Sequence, residues 1–514
     1  MNRKLDLPAL LLFTALLFGV IVRFYPAAAN GFPLNDGGMF YTMTQDLKAN
    51  GYALPEFTTY NQAGIPFAYP PFGFYAAALL SAPAPVSDLW VFLYLPAFVN
   101  SLAMLAFYLF ASEILNSRLT AALAALFHVF LPHSFVWQVM GGGITRAFGM
   151  LFLLLTLWQA VQLFRNYKHK HLALAILFGA GAVTSHPQTA LHAALGGFLL
   201  FLFYGRGKRG LLSVILVGLG VTLLSAPWWG TVLSRHGLEP FLSAGGTSPR
   251  TLESYLSILS VNSLEDYLTL PILALAFIGF FFARQAAVNR YFPLAWAALA
   301  ILLDPRGGDG FVLIALLLLA GSGLVKLSAW ISRETDEQPE RLMMKRGNSA
   351  LLFGLAIFLL LGGIVFDFQL VNTSLKTKDL ELIEWVEMNT EGGRFLLATG
   401  REFSMSDPLQ EWFPALTGRK SLTTMQGLEW TLAGNFFPWY EQVTEFQHCA
   451  TILCVTEWSA RNGVEYDYLI VLIPDEDDTD NLSESLRSLG ISARGSDSHA
   501  LIFESNHALV FQVK

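Results

Sequence analysis

Leu7-Pro8-Ala9-Leu10-Leu11-Leu12-Phe13-Thr14-Ala15-Leu16-Leu17-Phe18-Gly19-Val20-Ile21-Val22 follows Arg3 and Lys4 and leads into Arg23-Phe24-Tyr25-Pro26. A basic start and an apolar run describe both a secretory signal and a first transmembrane helix. This run is long, and it meets a charged, aromatic group rather than the small residues of a cleavage site. It reads as a retained span, with Ala27-Ala28-Ala29 the feature that keeps the signal alternative open.

Working outward, comparable apolar runs lie near 68–82, 89–111, 119–136, 145–164, 172–186, 188–204, 211–229, 267–283, 291–303, 310–330 and 349–369. Most approach the roughly 20 residues that cross a bilayer core. Basic clusters mark the cytoplasmic side. They fall at Arg3/Lys4, Arg165 to His171, Gly205 to Gly210, Arg284 to Arg290 and Arg333 to Arg346. If 68–82 crosses, the first two clusters land on opposite sides. If it does not, every cluster lands inside. That run is short and opens with Tyr69-Pro70-Pro71, so it reads as a helix lying at the outer interface.

The expected fold class is therefore an α-helical polytopic membrane protein with about 11 transmembrane helices. Its N-terminus is inside, and residues 371–514 form a C-terminal extracytoplasmic α/β domain. Residues 1–370 form the membrane domain, with a first outer loop at 26–88.

The composition agrees: 54% of residues are hydrophobic and 14% charged, against about 25% charged in soluble domains. Residues 371–514 carry 10 Lys+Arg and 22 Asp+Glu, so −12, which leaves +5 for the rest of a chain of net charge −7. A basic membrane part with an acidic tail argues against a nucleic-acid partner.

Within the tail, Leu380–Met388 has helical spacing. Arg394–Thr399 and Tyr468–Ile473 read as buried strands, and 500–503 with 509–513 as a closing hairpin. Cys449 and Cys454 are the only cysteines, too few for a four-cysteine zinc site. They form either a disulfide, if the tail is outside, or a pair of buried thiols.

Four groups of residues carry candidate chemistry. In Asn35-Asp36-Gly37-Gly38, just after the first span, Asp36 either caps the helix that begins at Met39 or serves as a general base. Tyr69 belongs to an aromatic, proline-rich stretch that suits an interfacial belt or a groove for a sugar or lipid head. The outer arginines Arg23, Arg146, Arg235, Arg250 and Arg306 offer bidentate phosphate ligands. Arg306 has Asp304 and Asp309 as alternative ion-pair partners, and His186 is either a phosphate contact or a packed histidine. In the tail, Glu411-Trp412 and Glu429-Trp430 combine sugar-stacking faces with hydroxyl acceptors, or pack the tail onto the membrane surface. The chain has no P-loop, HExxH or GxSxG motif. No acidic residue lies deep in a span, against an ion-coupled carrier.

With these residues in place, the chain resembles the GT-C superfamily of membrane glycosyltransferases. The branch is the one with protein O-mannosyltransferases and aminoarabinose transferases. Asn35-Asp36-Gly37-Gly38, Tyr69-Pro70-Pro71 and Glu411-Trp412-Phe413-Pro414 carry the resemblance. It departs from the Asp-Glu pair that such mannosyltransferases often show, since here the pair is Asn35-Asp36.

The resemblance implies transfer of a hexosyl or pentosyl group from a polyprenyl-phosphate-linked sugar to a glycan, lipid or protein acceptor. This takes place at the outer face of the cytoplasmic membrane, with inversion. Asp36 would be the base. Arg306, Arg146 and His186 would hold the donor phosphate, and Asn35, Tyr69, Glu411, Trp412, Glu429 and Trp430 would line the substrate site. No metal is expected to be required, although Asp36, Asp46 and Glu56 are the ligands a divalent ion would use. The competing expectation is a transporter or flippase of a lipid-linked glycan, which would use the arginines without Asp36.

Overall fold

The computed structural model describes residues 6–82, 85–246, 251–252, 254–256, 267–283, 287–305, 307–335, 338–474 and 480–514. Among these, seven helices are long and apolar enough to cross a bilayer: Leu7–Asn30, Asp88–Leu115, Gly143–Asn166, Pro187–Tyr204, Lys208–His236, Asp309–Ser332 and Arg346–Val371. Four shorter helices, Arg118–Phe130, His169–Ser185, Thr269–Phe282 and Ala287–Leu303, lie where the other four expected spans fall.

Local chemistry sets several of the boundaries. Asp6 caps the first helix by accepting from the N–H of Ala9, and Gly31 ends it in a left-handed turn. Ser87 and Ser117 accept from the N–H groups of Trp90 and Thr120 at the starts of Asp88–Leu115 and Arg118–Phe130. These caps answer donors that a helix start leaves unpaired. Phe13, Leu223 and Phe353 on the long helices stay more than 60% exposed, as lipid-facing side chains do when the bilayer is the solvent.

Phe72–Leu80 is a helix of nine residues. At 1.5 Å per residue it is roughly 14 Å long, too short to span the hydrocarbon. It packs Phe74, Ala77 and Ala78 into a cluster with Met39, Met43 and Leu47 of the Gly38–Ala49 helix.

The tail holds a five-stranded sheet in the order β2-β1-β3-β5-β4. The strands are β1 Arg394–Ala398, β2 Lys420–Ser421, β3 Tyr468–Leu472, β4 His499–Glu504 and β5 Ala508–Val513. β1 runs parallel to β2 and β3, and β5 runs antiparallel to β3 and β4. Alternation along β1 splits the core in two. Phe395 and Leu397 face Leu382, Val386, Trp412 and Phe413. Leu396 and Ala398 face Phe446, Val455, Trp458 and Leu489. Phe32, from the segment that follows the first helix, is a member of the first of these clusters. Cys449 and Cys454 are joined in a disulfide.

Candidate functional site

The first helix ends at Asn30, and the chain then threads between the end of the last span and the Met140–Gly142 turn. Leu34 bridges to Ser374, and the N–H of Asn35 donates to the carbonyl of Thr373. On the other side the N–H of Gly141 donates to the carbonyl of Leu34. The backbones are so close that a Cβ on Gly141 would lie 1.9 Å from the Asp36 carbonyl oxygen. Gly37, at φ +128°, turns the chain into the Gly38–Ala49 helix and is itself the N-cap residue.

Asp36 therefore does not cap that helix. Its carboxylate points the other way. Oδ1 accepts from the N–H of Gly142 at 2.9 Å. Nη2 of Arg146 donates to both oxygens, at 2.9 and 2.8 Å. Both side chains keep about a fifth of their surface exposed. Arg146 is held in turn by a 2.7 Å bond from Nε to the carbonyl of Trp137, whose ring lies 5.5 Å from the guanidinium carbon.

The tail closes the site from the opposite side. Oε1 of Glu411 accepts from the N–H of Gly37 at 2.7 Å. Burial and the neighbouring Asp36 charge push the Glu411 carboxyl up to about 8. The hydroxyl of Tyr60 donates to the Glu411 carbonyl, and the indole N–H of Trp412 donates to the Asn35 carbonyl. Asn61 both donates to the carbonyl of Ser421 and accepts from its N–H.

Tyr69 sits beside this pair of lips. Its ring centroid is 5.9 Å from Trp430 and 6.3 Å from His186. Burial pushes its phenol up to about 12, so it stays an O–H donor through physiological pH. The carbonyl of Glu429 accepts from Ser243.

The geometry sorts the sequence expectations. Asp36, Arg146, Asn35, Glu411 and Trp412 are joined by direct hydrogen bonds or through Gly37. Tyr69, Trp430 and His186 form an aromatic edge, and the charges of Glu429, Asp36 and Arg146 are all felt at Tyr69. The expectation for Trp412 as a sugar platform is corrected: the ring is fully buried, edge-on to Phe32 at 4.9 Å and tilted against Tyr41 at 5.8 Å. Asn35 is likewise buried, at φ +49°, and acts as backbone scaffold.

Arg306 and Arg250 lie outside the described residues. The Asp304 proposed as a partner of Arg306 is buried and meets His192 Nε2 at 3.1 Å. Asp309 pairs with His133 at 3.4 Å. Arg23 is fully buried and donates to Asn100 and to the carbonyl of Val129. Arg235 donates to the carbonyls of Leu54 and Pro55. Of the outer arginines among the described residues, Arg146 is the one that meets Asp36.

The three carboxylates named for a divalent ion do not converge. Whereas Asp36 precedes the N-cap of the Gly38–Ala49 helix, Asp46 lies near that helix's far end. It accepts from the Thr58 hydroxyl and from the N–H and hydroxyl of Thr59. Among the described residues no three His, Cys, Asp or Glu side chains group as a metal site. Sequence reading missed the Glu411–Gly37 contact and the part of Gly142, whose only signal was the density of glycine at 37–38 and 141–143.

No protein-family model and no curated protein matches this sequence. Among solved structures, the chain is similar to ArnT from Cupriavidus metallidurans bound to undecaprenyl phosphate. That match has a TM-score of 0.61 and 13% identity, over 97% of both chains. It is also similar to the arabinofuranosyltransferase AftD from Mycobacteria, with a TM-score of 0.58, 14% identity and 98% of this chain covered. The chain spans about two-fifths of AftD, 40% of its length. The chain shares its fold with these two structures, and it carries a small C-terminal sheet domain.

Proposed function

We propose that the protein is a membrane glycosyltransferase. It would carry a sugar from a polyprenyl-phosphate donor to an acceptor hydroxyl at the extracytoplasmic face. The observation that supports this most is the pairing of Asp36 with Arg146 at 2.8 Å in a part-exposed site between the spans and the tail. One group suits proton removal and the other suits a phosphate.

In the proposed step the acceptor hydroxyl passes its proton to Asp36. Its oxygen forms a bond to the anomeric carbon, while the bond from that carbon to the phosphate oxygen breaks. Lipid phosphate leaves with the electron pair, and the anomeric centre inverts. Arg146, with His186 nearby, would stabilise the phosphate as it takes up charge. Tyr69 and Trp430 would line the sugar's path, and Glu411 would fix the loop that carries Asp36. The acceptor would be a glycan, lipid or protein.

An N-terminus inside and a tail outside the cytoplasmic membrane completes the reading. The Cys449–Cys454 disulfide supports an oxidising compartment for the tail. The test is transfer of label from polyprenyl-phosphate-linked hexose or pentose in membranes carrying the chain. Transfer that disappears in Asp36→Asn is the expected result. Label that stays on the donor for every sugar tried overturns the enzyme reading in favour of a carrier.

A further inference from the structure

The two groups that the proposed reaction assigns to the donor and to the acceptor are bound to each other. Nη2 of Arg146 reaches both carboxylate oxygens of Asp36. A carboxylate gripped this way offers its lone pairs to the guanidinium, and the guanidinium offers its charge to the carboxylate. Neither is then fully available to substrate.

Three features show how the pair could part without the site collapsing. Arg146 is anchored at its other edge by the Nε bond to the Trp137 carbonyl and by the Trp137 ring, so it stays in place when its partner changes. Asp36 has a second holder in the N–H of Gly142, so it keeps its position when Arg146 lets go. The carboxyl of Glu411, on the tail side, is buried and engaged by Gly37.

We infer that the donor phosphate and Asp36 compete for Arg146. An arriving phosphate takes the guanidinium and thereby releases Asp36 to meet the acceptor hydroxyl. The base is then exposed only when a donor is present, which fixes the order of events as donor first, acceptor second. A site with no donor would be closed by its own ion pair. This rests on the reading of Arg146 as a phosphate ligand and goes beyond it.

The competition gives a result that a simple binding role for both residues would not. The full-length chain in nanodiscs is titrated with a polyprenyl monophosphate, with the matching polyprenol as control. Asp36→Asn removes the rival charge with almost no change of shape and should tighten monophosphate binding by up to about fivefold, the size of a part-exposed ion pair. Arg146→Gln should weaken it about tenfold or more. Adding Asp36→Asn to Arg146→Gln should bring no gain, because the coupling runs through Arg146. On the unaltered chain, carbodiimide labelling of Asp36, read by mass spectrometry, should rise with monophosphate and not with polyprenol.

Monophosphate binding that is unchanged or weaker in Asp36→Asn, or Asp36 labelling that does not rise, overturns the exchange. The outcome is separable from the functional reading. Asp36-dependent transfer without tighter binding removes the exchange alone. Tighter binding without transfer from any donor leaves the exchange and removes the enzyme.

Discussion

The backbone N–H of Gly37 and the side chain of Glu411 are 374 positions apart in the chain and 2.7 Å apart in the fold. The tail is thus fastened next to the residue on which the proposed chemistry depends. A Cβ on Gly38 would lie 2.5 Å from the Glu411 carbonyl oxygen, so the two backbones meet with no room for a side chain on the loop.

Glu411 makes this fastening sensitive to pH. Its carboxyl is raised from an ordinary value of 4.5 to about 8, first by burial and then by the Asp36 charge. A carboxyl raised on folding stabilises the docked tail fully below about 4.5, and that contribution fades as pH rises through about 8. The thermal midpoint of the chain in detergent should fall between pH 5 and 8.5, and Glu411→Gln should flatten much of the drop. Glu411→Ala, which removes the acceptor for Gly37, should lower transfer by about 10- to 100-fold, as a misplaced catalytic loop does. A Gln variant as impaired as the Ala variant would show that ionisation, not the hydrogen bond, is what matters.

Gly142→Ala isolates the ion pair. Gly142 has φ −66° and ψ −9°, which alanine adopts without strain. The added methyl would lie 2.6 Å from Asp36 Oδ2 and 2.8 Å from Arg146 Nη2. It should part Asp36 from Arg146 and cut transfer by roughly tenfold or more, while yield and thermal midpoint stay near those of the parent. Activity equal to the parent would mean that the pair relaxes around the methyl.

In the tail, Asp379 Oδ1 meets His507 Nε2 at 2.6 Å, and its other oxygen accepts from the N–H of Lys376. Burial opposes the Asp379 charge, but the bonds from His507 and Lys376 outweigh it and hold the carboxyl below the usual range. Its contribution is present above the ordinary carboxylate pKa and is lost as pH falls through the folded value. Asp379→Asn should lower stability by roughly 1–3 kcal/mol at neutral pH, the cost of weakening a buried hydrogen bond to a charged group. The loss should shrink in acid, and a loss that grows as pH falls would contradict the assignment.

The short Phe72–Leu80 helix makes a topological prediction. If it lies at the outer interface, a cysteine replacing exposed Pro85 is labelled by an impermeant maleimide added outside. One replacing exposed Asn116 is labelled only after permeabilisation. The native cysteines are tied up in their disulfide. Reversed labelling would mean that the helix crosses.

Much of the architecture was legible because bilayer and sheet both impose simple periods. Apolar length located the spans, and the placement of Arg165 to His171 separated Phe72–Leu80 from them. Unbroken apolar runs marked β1 and β3. The site was legible only as a set of residues. Asp36 had two chemically sound roles, and what chose between them was Arg146, 110 positions away. Trp412 offered either a stacking face or a packing mass, and its burial depended on Phe32 and Tyr41, which nothing local could reveal. Short-range patterns carry no record of such partners.

Phe32 sits in the core of the tail against Trp412, and this has a consequence for biogenesis. The ribosome makes Phe32 some 380 residues before Trp412, on the order of 20–80 s at ordinary elongation rates. Throughout that interval the loop carries its aromatic plug unsheathed. A tail expressed by itself would carry a matching hole. The two are halves of one joint, so exchanging tails between proteins of this architecture should succeed only when the plug travels with its socket.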